Sequence, residues 1–591
     1  MGATARFHNR SHGSSGSHGR PHTGSTIVKG VAALAAVTMI AAACGSSSKS
    51  APATTGAGTP SSTTTTTTAA AGSTGTASST AGSGAATAST AGGSGSGTAD
   101  ALVIARGMDV NSLDPALSYC DTCQIFMTAV YETLIGLDPK DNKTLIPRLA
   151  TKWEGDATQT NFTFTLDPKA KFPDGTAVTS TDVKFSWQRL AALKGSSSYL
   201  VGSIDTIDDS NPGVVKVKLK AANSAFLAQV DASYLGVVEK KVAEANGATM
   251  DSSTDKAEPW FLAHSAGSGP FTLESYASGS ELRLKRNDSY WGTKAGFPEV
   301  IIKETPQAVT QRQQLEQGSV DIAMQISADV ASGMGGPDIS LTKVPSFNYV
   351  YLAISPGATG GEKLTPDVRE AIRDALDYKG LIDVTVGGAG QKQASPIPNG
   401  FAGSAGLTLP AQDVAKAKSL LSKAGITSLT LDATYPSLNV YGVDFSTAMQ
   451  KVQTDLKAVG ITLTLNPVEI SVWADKIGKT GIPVTMLYFA PDHTDSSQYV
   501  QYFGMLKDSQ WQGWSKAPVN AAEQDLLTKA FATQDATARA SLYNQLGTDM
   551  INDQIIIPIV NPDLFLASRS NIKGLTYSAC CNLDLAQISR S

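Results

Sequence analysis

Apolar and polar residues alternate in several segments after about residue 100, and this pattern predicts β-strands. Residues 102–105 are continuously apolar, which is typical of a buried strand, whereas residues 162–166 alternate and predict a half-buried one. Residues 214–219 alternate with lysines, which favours a strand at the edge of a sheet. Further strands are predicted at residues 282–285, 300–302, 320–324, 429–433, 461–465, 483–488 and 555–560.

Helical periodicity occurs between these strands. Thr181-Asp182 precedes apolar residues at helical spacing and predicts a capped helix, and Pro366 is well placed in the first turn of another. Further helices are predicted at residues 307–317, 411–424 and 445–459 and from Ala521 and Thr537 onward. Regular alternation of strands and helices predicts α/β lobes with mostly buried sheets.

The N-terminal residues have the pattern of an export signal. Residues 1–30 contain arginine and lysine but no acidic residue, and residues 31–43 form an apolar run that is short for a membrane span. The run ends in Ala-Ala-Ala followed by Cys44, which resembles the bacterial lipobox. We therefore predict a signal peptide at 1–43 and diacylation of Cys44. The alternative is an unmodified cysteine after an ordinary signal peptide.

Residues 44–100 consist almost entirely of serine, threonine, alanine and glycine, with threonine unbroken from Thr63 to Thr68. Such a segment has almost no apolar surface to bury, so nothing offsets the entropy lost on ordering it. We predict a disordered tether between the lipid anchor and the globular body.

Composition excludes some functions. Hydrophobic residues make up 41% of the chain and charged residues 17%, which suits a globular protein. The formal net charge is −5, and a nucleic-acid-binding protein usually has a basic excess, so we expect no nucleic-acid partner. Six histidines and five cysteines leave little room for a metal site or a redox cofactor, and we predict neither.

Short motifs along the body occur in a characteristic order. They are SLDP at 112–115, YETL at 131–134, Leu149-Ala150 with Trp153, KFPDGT at 171–176, TDVKF at 181–185, GSGPF at 267–271, RNDSYW at 286–291, GSVD at 318–321 and VREAI at 368–372 with Asp377. In this order they resemble the extracytoplasmic solute-binding proteins of family 5, the group that includes dipeptide-, oligopeptide- and nickel-binding components of ABC importers. The resemblance covers nearly all of residues 101–591.

The resemblance implies an α/β, two-lobed periplasmic-binding-protein-like fold (type II, cluster C) with an extra domain in the first lobe. Lobe I would comprise residues 101–145, 262–357 and 555–591, the extra domain residues 146–261, and lobe II residues 358–554. Two hinged lobes that close on a ligand bury it almost completely.

The resemblance also suggests ligand-binding residues. In peptide-binding relatives, an aspartate at the place of Asp492 pairs with the ligand's α-ammonium, and an aromatic residue three positions earlier, here Phe489, lines the cleft. His493 is a further candidate, although a solvated loop residue is the more usual role for such a histidine. Asp492 could instead cap the helix before Tyr499. Met486 stands where many oligopeptide binders have an arginine for the ligand carboxylate, so binding of a free peptide C-terminus is an open question.

Three further aromatic residues, Tyr119, Trp511 and Trp514, lie in segments that the family places as loops at the cleft rim. Each could contact the ligand or could serve only in packing.

Four cysteines remain in the body, at positions 120, 123, 580 and 581, and an exported protein is exposed to oxidising conditions. Three pairings are possible. Cys120 and Cys123 could close a local ring, but we favour at least one cross-link to Cys580 or Cys581. A redox motif or a four-cysteine zinc site is disfavoured.

These features together predict a lipid-anchored receptor on the outer face of the bacterial cytoplasmic membrane. It would be a monomer that captures a peptide-like or other small polar solute and delivers it to the permease and ATPase subunits of an ABC importer. The body contains no GxSxG, HExxH or P-loop motif, so we do not expect an enzyme. The alternatives are a surface peptide sensor or adhesin and, less favoured, a secreted hydrolase.

Overall fold

The computed structural model describes residues 100–108, 110–507, 509–579 and 582–591. The predicted signal peptide, Cys44 and the tether up to residue 99 lie outside these ranges, as do Cys580 and Cys581. Within the described part, no helix combines the length and apolar character that crossing a membrane requires.

Residues 100–261 begin with the predicted buried strand and continue into a small antiparallel sheet with helices. The strands are β1 (Leu102–Arg106), β2 (Ile135–Leu137), β3 (Leu145–Pro147), β4 (Ala150–Gly155), β5 (Asn161–Leu166), β6 (Ile204–Asn211) and β7 (Val214–Leu219). The helices are α1 (Asp121–Val130), α2 (Ser180–Leu193), α3 (Phe226–Val230), α4 (Lys240–Ala245) and α5 (Glu258–Phe261), with 3-10 turns at Ser196–Val201 and Ser233–Leu235.

Residues 262–591 alternate between strands and helices, as their periodicity predicts. The strands are β8 (Phe271–Ala277), β9 (Glu281–Arg286), β10 (Glu299–Glu304), β11 (Ile322–Ala323), β12 (Ile339–Pro345), β13 (Tyr349–Ile354), β14 (Gly390–Gln391), β15 (Leu429–Pro436), β16 (Asn439–Val440), β17 (Val443–Asp444), β18 (Ile461–Val468), β19 (Val484–Phe489), β20 (Ile556–Arg569), β21 (Ile572–Lys573), β22 (Tyr577–Ser578), β23 (Asn582–Leu583) and β24 (Ser589–Arg590). The helices are α6 (Ala308–Glu316), α7 (Ala328–Ser332), α8 (Pro366–Ala375), α9 (Tyr378–Val386), α10 (Val414–Lys423), α11 (Phe445–Lys457), α12 (Ile470–Lys479), α13 (Ser497–Phe503), α14 (Gln510–Ser515), α15 (Ala521–Ala532) and α16 (Ala536–Asp553), with a 3-10 turn at Leu585–Gln587.

The small sheet corrects one prediction. Its strand order is β4-β5-β7-β6, so β7 lies inside the sheet and not at its edge. The edge position belongs to β6, whose sequence is mostly polar and exposed and therefore gave no strand signal. The lysines of β7 point to the exposed face, which explains why a central strand can carry them.

A single long strand, β20, passes through both halves of the molecule. Its first residues pair with β13, and its last residues pair with β12 and β11, in each case antiparallel. The strand path that results is β19-β13-β20-β11-β1-β10-β9-β8. Both halves of the sheet are therefore held by continuous backbone and not only by side-chain packing.

Buried apolar side chains fall into separate groups on the two sides of this crossing. One group draws on residues 101–331 and 567–588, and we call this part the first half. The other begins at Tyr349 and ends at Val560, and we call it the second half. Strand β13 and the start of β20 were predicted as parts of lobe I. In the structure they pack with residues 358–554, the range predicted for lobe II.

The side chain of Asn561 joins the two segments that cross between the halves. Its amide nitrogen donates to the carbonyl oxygens of Ser346 and Asn348, at 3.0 and 2.6 Å. The Ser346 hydroxyl donates back to the carbonyl of Pro562 at 2.5 Å. Since these groups are buried, the bonds satisfy polar atoms that would otherwise destabilise the crossing.

A buried ion network fastens the N-terminal segment to the predicted extra domain. Both terminal nitrogens of Arg189 donate to the two carboxylate oxygens of Asp114, each at 2.6 Å. Its Nε donates to Asp255 at 2.8 Å. Arg189 is 2% exposed and Asp114 fully buried, so removal of the guanidinium would leave buried carboxylates without a counter-charge.

We predict that Arg189→Ala lowers the free energy of unfolding by about 3–5 kcal/mol, because the buried carboxylates of Asp114 and Asp255 lose their positive partner. Urea denaturation measures the loss. The matched control is Arg286→Ala, which removes an ion pair to Asp288 whose aspartate is 65% exposed and should lower stability by less than about 1 kcal/mol. Equal losses of unfolding free energy in the two variants would contradict a larger contribution of the buried network to stability.

Candidate ligand-binding site

The loop that follows β19 presents a buried carboxylate. Asp492 is 4% exposed, and its backbone N–H donates to Oε1 of Gln498 at 2.9 Å. The amide nitrogen of Gln498, in the first turns of α13, donates to the carbonyl oxygens of His493 and Asp495. One glutamine side chain therefore shapes the loop and fixes the position of Asp492.

Two tyrosines from the first half meet this carboxylate. The hydroxyl of Tyr119, just before α1, donates to Oδ2 of Asp492 at 2.9 Å. The hydroxyl of Tyr199, in the 3-10 turn Ser196–Val201, donates to the same oxygen at 2.5 Å. Both of these hydrogen bonds end on Oδ2, and the structure shows none from the described residues to the other oxygen, Oδ1. The carboxylate thus bridges the two halves and keeps one oxygen for a further donor.

Burial controls the acidity of this group. It raises the pKa of Asp492 to about 6, and the two tyrosine hydrogen bonds oppose that rise. Loss of water around the hydroxyls and the charge of Asp492 raise the pKa of Tyr119 and Tyr199 above their usual value, so both hydroxyls keep their protons and donate, although Tyr199 as a whole is 37% exposed. At neutral pH the ionised form of Asp492 predominates, and no ion pair within the described part of the chain neutralises it.

His493 occupies a different place from the one expected of a solvated loop residue. It is fully buried, and its Nδ1 accepts the backbone N–H of Asp495 at 3.2 Å. Burial lowers the pKa of His493 to about 4, so the ring is neutral at physiological pH. Its Nε2 has no hydrogen-bond partner in the described structure. The expectation of solvent exposure is wrong, because the loop folds inward around Gln498.

Phe489, at the end of β19, is 8% exposed and belongs to an aromatic cluster. Its ring centroid lies 4.8 Å from that of Tyr502 and 5.0 Å from that of Phe503. Met486, on the same strand, is fully buried among the apolar side chains of the second half. Phe489 therefore backs the loop that carries Asp492, and its role towards a ligand stays a prediction.

The two tryptophans lie on helix α14 and not in loops. Trp511 is fully buried, and its indole N–H donates to the hydroxyl of Tyr351 at 3.1 Å. Trp514 is half-buried, with ring centroids 5.1 Å from Trp511 and 5.4 Å from Trp473. These contacts give both rings a packing role in the second half. Trp511 has no exposed surface left for a ligand in this structure.

The cysteines correct another prediction. A disulfide joins Cys120 to Cys123, so neither is available for the cross-link to Cys580 or Cys581 that we favoured. Cys120 is the N-cap residue of α1 and follows Tyr119 directly. The backbone N–H of Cys120 also donates to the hydroxyl of Tyr234 at 3.1 Å. The local ring therefore stiffens the segment that presents Tyr119 to Asp492.

Tyr199 was absent from the sequence-based candidates. It stands in a polar loop, GSSSYLVG, where a single large aromatic residue is conspicuous. It is 293 positions away from Asp492 along the chain, and only the fold brings the two together.

No group of three or more His, Cys, Asp or Glu side chains in the described ranges is arranged to hold a metal ion.

The fold and the buried inter-half site define a two-lobed solute-binding protein. A family model described as bacterial extracellular solute-binding proteins, family 5 (middle), matches residues 144–511, more than half of the chain. The chain therefore belongs to family 5 of the bacterial extracellular solute-binding proteins. Members of this family are transport binding proteins and not enzymes, so we assign no catalytic residue.

Curated relatives cover most of the chain. The probable D,D-dipeptide-binding periplasmic protein DdpA of Escherichia coli K12 is 26% identical over 484 residues, which cover 81% of this chain and 92% of DdpA. The dipeptide-binding protein of the same organism is 25% identical over 458 residues, 73% of this chain and 83% of the relative.

Solved structures share the fold. The periplasmic binding protein DppA of Helicobacter pylori, in complex with the peptide STSA, matches with a TM-score of 0.71 and 20% identity over 83% of this chain and 98% of that one. The dipeptide-binding protein of Pseudoalteromonas sp. SM9913, in complex with Met-Leu, matches with a TM-score of 0.72 and 21% identity over 83% and 100% of the two chains.

We predict that Tyr199→Phe raises the pKa of Asp492 further, by about one unit, because a hydrogen bond that favours the ionised carboxylate is lost. Carbon-13 NMR titration of the labelled carboxyl measures this value. The control is Tyr378→Phe, since the buried hydroxyl of Tyr378 donates to the carbonyl of Arg373 instead. An unchanged or lower pKa in Tyr199→Phe would show that the hydroxyl does not stabilise the charge.

Proposed function

We propose that this protein is the substrate-binding lipoprotein of an ABC importer and that it captures a peptide-like or other small polar solute between its two halves. The observation that carries the proposal is the buried Asp492, which receives hydroxyl donors from the opposite half but no cation. A buried carboxylate needs donors or a counter-charge, and a ligand amine can supply both to the free Oδ1.

The arrangement links ligand capture to closure. The donors to Asp492 come from Tyr119 and Tyr199 in the first half, whereas Asp492 itself belongs to the second. A ligand amine bound at Oδ1 would be enclosed by both halves at once, and closure would remove the charge pair from water. A closed form with both halves in contact then presents the permease with a distinct shape to recognise.

The choice of a peptide-like ligand is supported by relatives whose names state dipeptide binding or peptide transport. It is further supported by the acidic character of the site, because an α-ammonium is the common feature of unmodified peptides. Met486 offers no positive charge for a ligand carboxylate, so the C-terminal end of the ligand would be held by other groups or be modified.

We predict that Asp492→Ala weakens binding of an amine-bearing dipeptide by about 2 kcal/mol or more, because it removes a buried charge partner. Isothermal titration calorimetry with Ala-Ala measures the change, and N-acetyl-Ala-Ala serves as the ligand control. In the unmodified protein, affinity for Ala-Ala should fall as the pH drops through about 6, where Asp492 takes up a proton. The variant should lose this pH dependence.

Unchanged affinity in Asp492→Ala would remove this residue from the site. The solute that co-purifies with the protein, identified by mass spectrometry, tests the ligand class independently. A bound solute without any amino group would contradict the proposed class.

The lipid anchor is proposed from the N-terminal sequence. We expect Cys44→Ser to release the exported protein from the membrane, since the acyl chains at Cys44 are the proposed anchor. Fractionation and metabolic labelling with radioactive palmitate measure this, with the unmodified chain as the reference. Label that persists in the variant would contradict attachment at Cys44.

A further inference from the structure

A second buried carboxylate lies beside the same loop. Asp231, between α3 and the 3-10 turn Ser233–Leu235, is 2% exposed. Its Oδ1 has no hydrogen-bond partner in the described structure. Its Oδ2 accepts the hydroxyl of Thr494 at 3.5 Å, the outer limit of a hydrogen bond. A buried carboxylate with so few donors is uncommon in a folded protein.

The backbone around Asp231 directs carbonyl oxygens, not N–H donors, towards the end of α3. Asp231 is the C-cap residue of α3, and its own N–H donates to the carbonyl of Gln229. The end of a helix presents carbonyl oxygens, which accept hydrogen bonds and cannot donate to a carboxylate. Burial raises the pKa of Asp231 well above its usual value, with only the Thr494 hydroxyl acting against the rise.

Asp231 lines a small, partly open pocket with a cavity volume of about 30 Å3, enough for the polar end of a side chain. Ser233, in the same wall, is 3% exposed, and its hydroxyl also lacks a hydrogen-bond partner among the described residues. The positive charge in the wall is Arg148, which is already paired with Asp584 at 2.7 Å. The pocket therefore offers buried acceptors without a free counter-charge.

One residue of the pocket wall, Asp231, contacts the loop after β19 that carries Asp492. Thr494, which touches Asp231, stands two residues after Asp492. Tyr234, three residues after Asp231, lies with its ring centroid 5.3 Å from that of Tyr119, which donates to Asp492. The loop therefore carries one carboxylate, Asp492, and is met by the other, Asp231, from the first half.

We propose that Asp231, with Ser233, forms a second acidic subsite that takes a basic side-chain group of the ligand. An ammonium or guanidinium would donate to the unpartnered oxygens of both residues and would supply the missing counter-charge. The preferred ligand is then a peptide-like solute with two cationic groups, its amino terminus at Asp492 and a basic side chain at Asp231. This inference rests on the proposed function.

The test uses calorimetry with three dipeptides: Lys-Ala, Nε-acetyl-Lys-Ala and Ala-Ala. The unmodified protein should bind Lys-Ala about tenfold or more tightly than the acetylated form, since only the free amine pairs with the carboxylate. Asp231→Asn should remove this preference and leave the affinity for Ala-Ala unchanged. Asp492→Asn should weaken binding of all three peptides.

Asp288→Asn, at a largely exposed aspartate, is the matched control and should change nothing. Ser233→Ala is a second variant that should reduce the preference for Lys-Ala, and thermal unfolding checks that each variant folds. Equal affinity of the unmodified protein for Lys-Ala and its acetylated form would overturn the subsite alone, as would an equal loss for all three peptides in Asp231→Asn. Absence of binding of every peptide would overturn the peptide-like ligand class in the proposed function and this subsite together.

Discussion

The site depends on one constraint: a carboxylate removed from water must find donors. Asp492 finds two of them in Tyr119 and Tyr199, which come from the other half of the molecule. The two halves are thereby coupled through a single oxygen atom. Because the hydroxyls stabilise the charge only while they reach Asp492, the ionisation of Asp492 and the contact between the halves are thermodynamically linked.

The scaffold makes this coupling possible. Strand β20 runs through both halves and joins them by continuous backbone. The buried network of Arg189 ties the N-terminal segment to helix α2. The disulfide of Cys120 adds local stiffness next to Tyr119. The disulfide-linked segment before α1 positions Tyr119, and the hydrogen bonds of Gln498 position the loop that carries Asp492.

Local sequence signals predicted much of the fold and part of the site. Strand alternation located β5, and the proline of α8 marked the start of that helix, because both signals act within a few residues. Asp492 was a candidate because of the family resemblance and its place after a predicted strand, and its role towards a ligand stays a prediction. The prediction that β7 is an edge strand was wrong because the polar strand β6 pairs with it. Strand order depends on pairing between distant segments, which local alternation does not reveal.

Features that depend on distant packing were beyond the sequence. Tyr199 and Asp231 belong to the site region only because chain folding brings them to the loop of Asp492 and Thr494. A lone aspartate within the apolar stretch FLAQVDASYL was a usable signal for Asp231, since an unpaired charge is rarely buried without a reason. The cysteine pairing was predicted wrongly because spacing alone allows several connectivities.

The side chain of Asn561 has a mechanical consequence. One amide bonds two carbonyl oxygens of the segment between β12 and β13, so it ties that segment to β20 at the point where both pass between the halves. A substitution that removes the amide would leave both carbonyl oxygens without this donor and would weaken both connections at once.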